Sequence, residues 1–209
     1  MTLRKDSSVA ARTKSSEPKP TKGERTRARL LQAAAKEFAR QGFDAARISD
    51  IVARAEVSQP AFYLYFGSKE AAYAEVINQF RTRLRNAIRS ARLPKDLEKD
   101  QVADRVRWSV TTLLDALADD RDLLEVGFYQ ALAAEDIKAE LSEQIAANVA
   151  AEQADGFFRK DMPPAFFADC LIGIVERMAR SKSTPSERQQ QARFIAELLL
   201  NGLRVQPHS

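Results

Sequence analysis

The chain of 209 residues has one cysteine, Cys170, and one histidine, His208. A disulfide within the chain is therefore excluded, as are zinc sites of the Cys₄ or Cys₂His₂ kind. Ser/His/Asp or Cys/His catalysis has no base except a histidine next to the last residue. Carboxylate and lysine chemistry stay open by counting alone. Glycine is scarce, at seven residues, which argues against turn-rich all-β architectures and against glycine-rich nucleotide loops. No apolar run approaches the roughly 20 residues that cross a bilayer. The basic N-terminal stretch has no apolar segment behind it, so no secretory signal is read there. These absences lead to the expectation of a cytoplasmic, non-enzymatic protein with no metal, no cofactor and no membrane partner.

What is present is an uneven charge. The net charge is +4, but residues 1–93 hold 19 Lys and Arg against 9 Asp and Glu, and residues 94–209 hold 14 against 20. A change of sign between halves indicates two modules, the first facing a polyanion such as nucleic acid. Residues 1–22, rich in Ser, Thr, Lys, Arg and Pro, are expected to form a disordered basic tail.

Beyond the tail the pattern is all-α. Thr21-Lys-Gly-Glu24 has the form of a capping box. Leu31, Ala34, Ala35 and Phe38 then follow at helical spacing until Gly42 stops the helix. A second helix fits Arg47–Arg54, with Ile48, Ile51 and Val52 inward. Ser58 is placed to cap a third, with Pro60 in its first turn. Phe62-Tyr-Leu-Tyr-Phe66 has strand propensity, but a serine before it, a glycine after it and no partner strand make it a helix. Ser68-Lys-Glu70 opens a fourth helix running towards Arg92. Later helices are predicted at about 97–118, 121–134, 137–158, 163–181 and 186–204.

Two short helices joined by a tight turn, about residues 47–66, form a helix-turn-helix pattern. Phe62 and Phe66 lie four apart and anchor the second helix, leaving Gln59, Pro60, Ala61, Tyr63 and Leu64 outward. Residues 24–70 resemble the DNA-binding domain of TetR-type transcriptional regulators. The resemblance rests on the helix Arg29–Phe38, Gln41-Gly-Phe43, Ile48-Ser-Asp-Ile51, Val57-Ser58, Phe62-Tyr-Leu-Tyr-Phe66 and Ser68-Lys-Glu70. It implies a helix-turn-helix domain over 23–70 and a helical effector-binding and dimerisation domain over 71–205. It also implies a DNA-contacting set of Arg47, Ser58, Gln59, Pro60, Ala61, Tyr63, Tyr65 and Lys69. Gln59 would read a base edge, Pro60 and Ala61 would meet a thymine methyl, and the tyrosines and Lys69 would hold phosphates. Three positions depart from the family pattern, one of them Leu64, which replaces what is often a polar phosphate contact. Arg47 replaces a capping threonine, and Glu56 replaces a glycine whose left-handed backbone costs another residue about 1 kcal/mol.

In the second half, Val102, Val106, Val110, Leu113 and Leu117 share one face, and Trp108 points away from it. Such an aromatic fills a second interface or lines a cavity. By resemblance the effector pocket is assigned to Trp108, Phe128, Tyr129 and Phe157. The last two helices carry apolar residues over more circumference than one packing face needs. The resemblance assigns them to a homodimer interface that includes Phe166, Cys170, Ile174, Phe194 and Leu198. Arg81, Arg85, Arg89 and Arg92 form a stripe on the fourth helix, expected to be solvated or paired. The implied function is a sequence-specific repressor, released from a palindromic double-stranded operator by an unidentified small-molecule effector. The competing readings are an effector-independent DNA-binding protein of the same fold and a helical ligand carrier or enzyme.

Overall fold

The computed structural model describes residues 21–130 and 134–201, so most of the basic tail, Leu132 and Leu203 lie outside the described residues. Among the described residues every regular element is helical, and no helix is long and apolar enough to cross a membrane.

α1 (Lys22–Ala45) begins with a full capping box. Thr21 Oγ1 accepts from the Glu24 amide at 3.2 Å, and Glu24 Oε2 accepts from the Thr21 amide at 2.6 Å. Gly42, at φ 77°, breaks the helix at the expected position, after which three further residues return to helical geometry. α2 (Ile48–Ala55) ends at Glu56, whose φ of 53° is the left-handed turn expected there. α3 (Gln59–Phe66) stops at Gly67, and Ser68 caps α4 (Lys69–Ala91) through a 3.1 Å bond from the Ala71 amide. The aromatic stretch 62–66 is helix.

α4 is the shaft of the molecule. Its first half packs on α1 and its second on α5 (Val102–Ala118) and α7 (Ala134–Ala154). The expected domain boundary at 70/71 falls in its first turn. A single apolar core runs along it, from Leu30 and Phe62 through Phe80 and Leu84 to Leu113, Leu141 and Val175. α8 (Pro164–Ala179) lies on α7, and α9 (Pro185–Asn201) on α5.

Several boundaries differ from expectation. Residues 99–101 form a 3₁₀ turn, and α5 proper starts at Val102. α7 ends at Ala154 because Gly156 turns the chain at φ 83°. The single helix expected over 121–134 is instead a one-turn α6 (Arg121–Leu124) that widens into a π-helical turn, Glu125–Gln130. Gly127 in this turn lies against the Phe80 ring: a Cβ there would be 2.2 Å from the nearest ring carbon. The absence of that one carbon lets the π turn reach α4.

Gly127→Ala is expected to force the buried Phe80 ring aside and lower unfolding stability by about 1–3 kcal/mol. Urea denaturation followed by circular dichroism measures this. An unchanged midpoint would show that the contact has slack.

Candidate nucleic-acid interface

α3 is docked by its apolar side. Phe62 is fully buried and Phe66 nearly so, their rings 5.6 Å apart. Tyr63 stands edge-on to Phe62 at 5.7 Å and is 47% exposed, and Leu64 is 79% exposed. Gln59 and Pro60 are exposed and Ala61 half-buried. These side chains form one outward surface at the N-terminal end of a rigidly seated helix, the geometry that places residues in a major groove.

Ser58 departs from the expected cap. It is the N-cap residue, but its hydroxyl makes no bond to the helix. Pro60 has no amide proton to offer, and the Ala61 amide already donates to the Ser58 carbonyl at 3.1 Å. The serine side chain is left exposed beside Gln59. Arg47 likewise begins α2 without a side-chain cap and is exposed.

The two tyrosines are separated. Tyr65 is half-buried and turns towards the start of α1, its hydroxyl 3.7 Å from where a Gly23 Cβ would stand. Around that point Lys22, Arg25 and Arg29 are exposed and lack an ion-pair partner among the described residues. Arg27 is engaged, with Glu75 at 3.0 Å and over the Phe66 ring at 5.3 Å.

Lys69 is placed differently from its expected phosphate role. Its Nζ donates to the carbonyls of Phe43, Asp44 and Ala46 at 2.8, 3.2 and 3.1 Å and sits 4.5 Å from the Phe43 ring centre. An ammonium has three protons, and three carbonyls at the broken end of α1 take them. Lys69 thus ties α4 to α1.

The family model for bacterial regulatory proteins of the tetR family matches residues 30–76. The uncharacterized HTH-type transcriptional regulator YdgC of Bacillus subtilis (strain 168) is 40% identical over 161 residues, 77% of this chain and 83% of that protein. The chain belongs to the TetR family. It is a DNA-binding transcriptional regulator. The HTH-type transcriptional repressor SCO4008 of Streptomyces coelicolor is 33% identical over 160 residues, 75% of this chain and 77% of its own. The crystal structure of the TetR family regulator PfmR from Thermus thermophilus shares the fold at a TM-score of 0.68 and 20% identity, covering 90% of this chain and all of that one.

In this TetR-family domain the helix-turn-helix is held on α1 by Glu37, a residue that none of the sequence motifs singles out. Its carboxylate is buried and accepts from Arg40 at 2.7 Å, Gln41 at 2.6 Å and Arg54, at the end of α2, at 2.6 Å. The signal was present: Glu37 lies seven residues after Leu30 and three after Ala34, on the buried stripe. Burial pushes its carboxyl up, but the bonds from Arg40, Arg54 and Gln41 outweigh this and hold it below the ordinary value.

The other half contains the residues assigned to an effector pocket and a dimer interface, and the four pocket residues are not brought together. Trp108 is 44% exposed under the Arg105 guanidinium, because it faces away from the Val106–Val110–Leu113 stripe. Phe128 is core, edge-on to Phe80 at 5.5 Å. Tyr129 donates to the Glu176 carbonyl on α8 at 3.1 Å, with Arg180 over its ring. Phe157 lines a groove of about 210 Å³ near the end of α7. An apolar cavity of about 80 Å³ adjoins this groove, between the end of α4, α5, α7 and α8, and shares Val106, Val149 and Phe167 with it. The residues assigned to the dimer face stand outward: Phe166 is 61%, Phe194 52% and Leu198 42% exposed, Cys170 is exposed and Ile174 half-buried. Two of the stripe arginines, Arg81 and Arg85, pair with Glu140 on α7.

The π turn joins the halves. Gln130 donates to the Ala39 carbonyl on α1 at 2.9 Å, Tyr129 reaches α8, and Arg121 donates to the Ala179 carbonyl at 2.7 Å.

Glu37→Gln is expected to lose about 1–3 kcal/mol of stability at neutral pH. Because folding lowers the pKa of Glu37 from 4.5, the unfolded chain takes up the proton first on acidification. The stabilisation is complete above that value and disappears as pH falls through the lower folded one. Melting curves of the two proteins should therefore converge in acid. A constant gap down to acid would contradict the charged role of Glu37.

Proposed function

We propose that the protein is a homodimeric repressor that binds a palindromic operator and leaves it when a small molecule occupies the helical domain. The observation that carries this reading is α3: eight residues seated by Phe62 and Phe66, with Gln59, Tyr63 and Leu64 presented outward. Gln59 offers the two-pronged hydrogen bonding that suits adenine, and Pro60, Ala61 and Leu64 offer apolar surface for a thymine methyl. Tyr63, Ser58 and Arg47 carry donors suited to backbone phosphates. Tyr65 and Lys22, Arg25 and Arg29, which have no ion-pair partner among the described residues, extend that basic surface along the start of α1. Lys69 serves the interface from behind, by fixing where α1 ends relative to α4.

One helix of this length reads too few base pairs for useful specificity, so two copies are required. The exposed apolar residues Phe166, Phe194 and Leu198 on α8 and α9 are the surface we assign to pairing. Regulation is then linkage. An effector that prefers the conformation with wrongly spaced recognition helices lowers operator affinity by its preference ratio. Physical continuity supports such coupling, since α4 belongs to both halves and the π turn contacts both α1 and α8.

Gln59→Ala with Tyr63→Ala is expected to lower affinity for the protein's preferred duplex at least a hundredfold in fluorescence anisotropy, with the melting temperature unchanged. Retained affinity would remove α3 from the interface. Phe194→Glu with Leu198→Glu is expected to yield a folded monomer in analytical ultracentrifugation. A persistent dimer would place the pairing surface elsewhere.

A further inference from the structure

The apolar cavity between α4, α5, α7 and α8 has one charged residue in its wall. Glu152, on α7, is only 6% exposed and continues the stripe of Leu141, Ile145 and Val149 that faces the core. One carboxylate oxygen accepts from the Leu93 amide at 2.9 Å. No Lys or Arg among the described residues forms an ion pair with it, unlike Glu37 and Glu140, each of which has two arginines. Burial pushes its carboxyl above the ordinary value, and the Leu93 bond and the nearby Arg92 charge offset only part of that. A buried carboxylate without a cation is costly, and either a proton or a bound cation relieves that cost.

The other polar side chains on the wall are tied to backbone carbonyls. Asn148 donates to the Ile88 carbonyl at 3.0 Å, and the Ser109 hydroxyl lies 2.8 Å from the Ala91 carbonyl. Glu152 is thus the one charged group on the cavity wall, and in the adjoining groove Arg159 is paired with Asp161 and Gln153 donates to the Arg159 and Met162 carbonyls. The groove of about 210 Å³ shares Val106, Val149, Phe158, Phe167 and Leu199 with this cavity of about 80 Å³. The groove alone exceeds the roughly 150 Å³ that accommodates benzene. The shared wall contains two phenylalanines, surfaces that suit an aliphatic or aromatic body and attract a cation over the ring face.

We propose that this cavity binds a small apolar amine, its ammonium paired with Glu152 and its hydrocarbon body lying between Val149, Phe158 and Phe167. The ammonium supplies both the missing charge and a hydrogen bond. An alcohol supplies only the bond, and a carboxylate is repelled. This rests on the effector reading proposed above, which it deepens by naming the class of ligand.

The test uses the full chain without DNA, titrated by calorimetry at neutral pH with n-octylamine, n-octanol and octanoate. The amine is expected to bind more tightly than the alcohol, and octanoate not to bind. In Glu152→Gln, which keeps an acceptor for Leu93, the ratio of amine to alcohol affinity is expected to fall about tenfold or more. Val149→Phe, which fills the cavity, is expected to abolish binding of both. No amine binding, octanoate binding as tight as the amine, an unchanged ratio in Glu152→Gln, or amine binding that survives Val149→Phe would each overturn the proposal. Adding the amine to the protein on its preferred duplex separates the two readings. Amine that binds at Glu152 without releasing DNA would leave the ligand class standing and defeat the effector role. Release by octanoate but not by the amine would do the reverse.

Discussion

The outward face of α3 depends on the burial of two phenylalanine rings. An eight-residue helix has little stability of its own in water, because nucleation consumes most of what its few hydrogen bonds return. α3 persists because Phe62 and Phe66 are driven into the core, each burial contributing about 1.5–3 kcal/mol. The same burial fixes the rotation of the helix, so Gln59, Tyr63 and Leu64 have no choice but to face outward. Function at the surface follows from packing beneath it.

That packing is reinforced by buried or half-buried charge. Glu37 ties α1 to α2 through Arg54, and Lys69 ties α4 to α1 through three carbonyls. Both give the small domain directional constraints that its limited core cannot supply by contact alone. α4 then carries the constraint into the second half, where Phe80 meets the π turn at Gly127. A displacement in the helical domain has a short mechanical route to the helix-turn-helix, through α4 and through the Gln130 contact with α1.

Much of this architecture was legible from local signals. The Thr21–Glu24 capping box, the stops at Gly42 and Gly67, Ser68 before α4 and the left-handed Glu56 are each fixed by backbone chemistry within a few residues. Apolar spacing identified the buried faces of α1, α2 and α5. The illegible features are those set by distant partners. Nothing local distinguishes a lysine that clamps three carbonyls from one that waits for a phosphate. The π turn depends on Phe80, far away in sequence. The aromatic residues nominated for a pocket fail to converge because three-dimensional register, not residue type, decides which side chains meet. Glu37 and Glu152 both occupy core positions in otherwise apolar stripes, a pattern readable in the sequence that marks a carboxylate in need of a partner.

The proposed dimer sets two copies of α3 about 34–36 Å apart, where they read two half-sites on one face of DNA. Selection of the purified full-length protein against a random duplex library at near-physiological salt tests it most directly. The expected result is enrichment of a two-fold palindrome whose half-sites are centred about one helical turn apart, or a multiple of it. Recovery of no consensus, with binding that vanishes as salt rises, would show a charge-driven binder and contradict it.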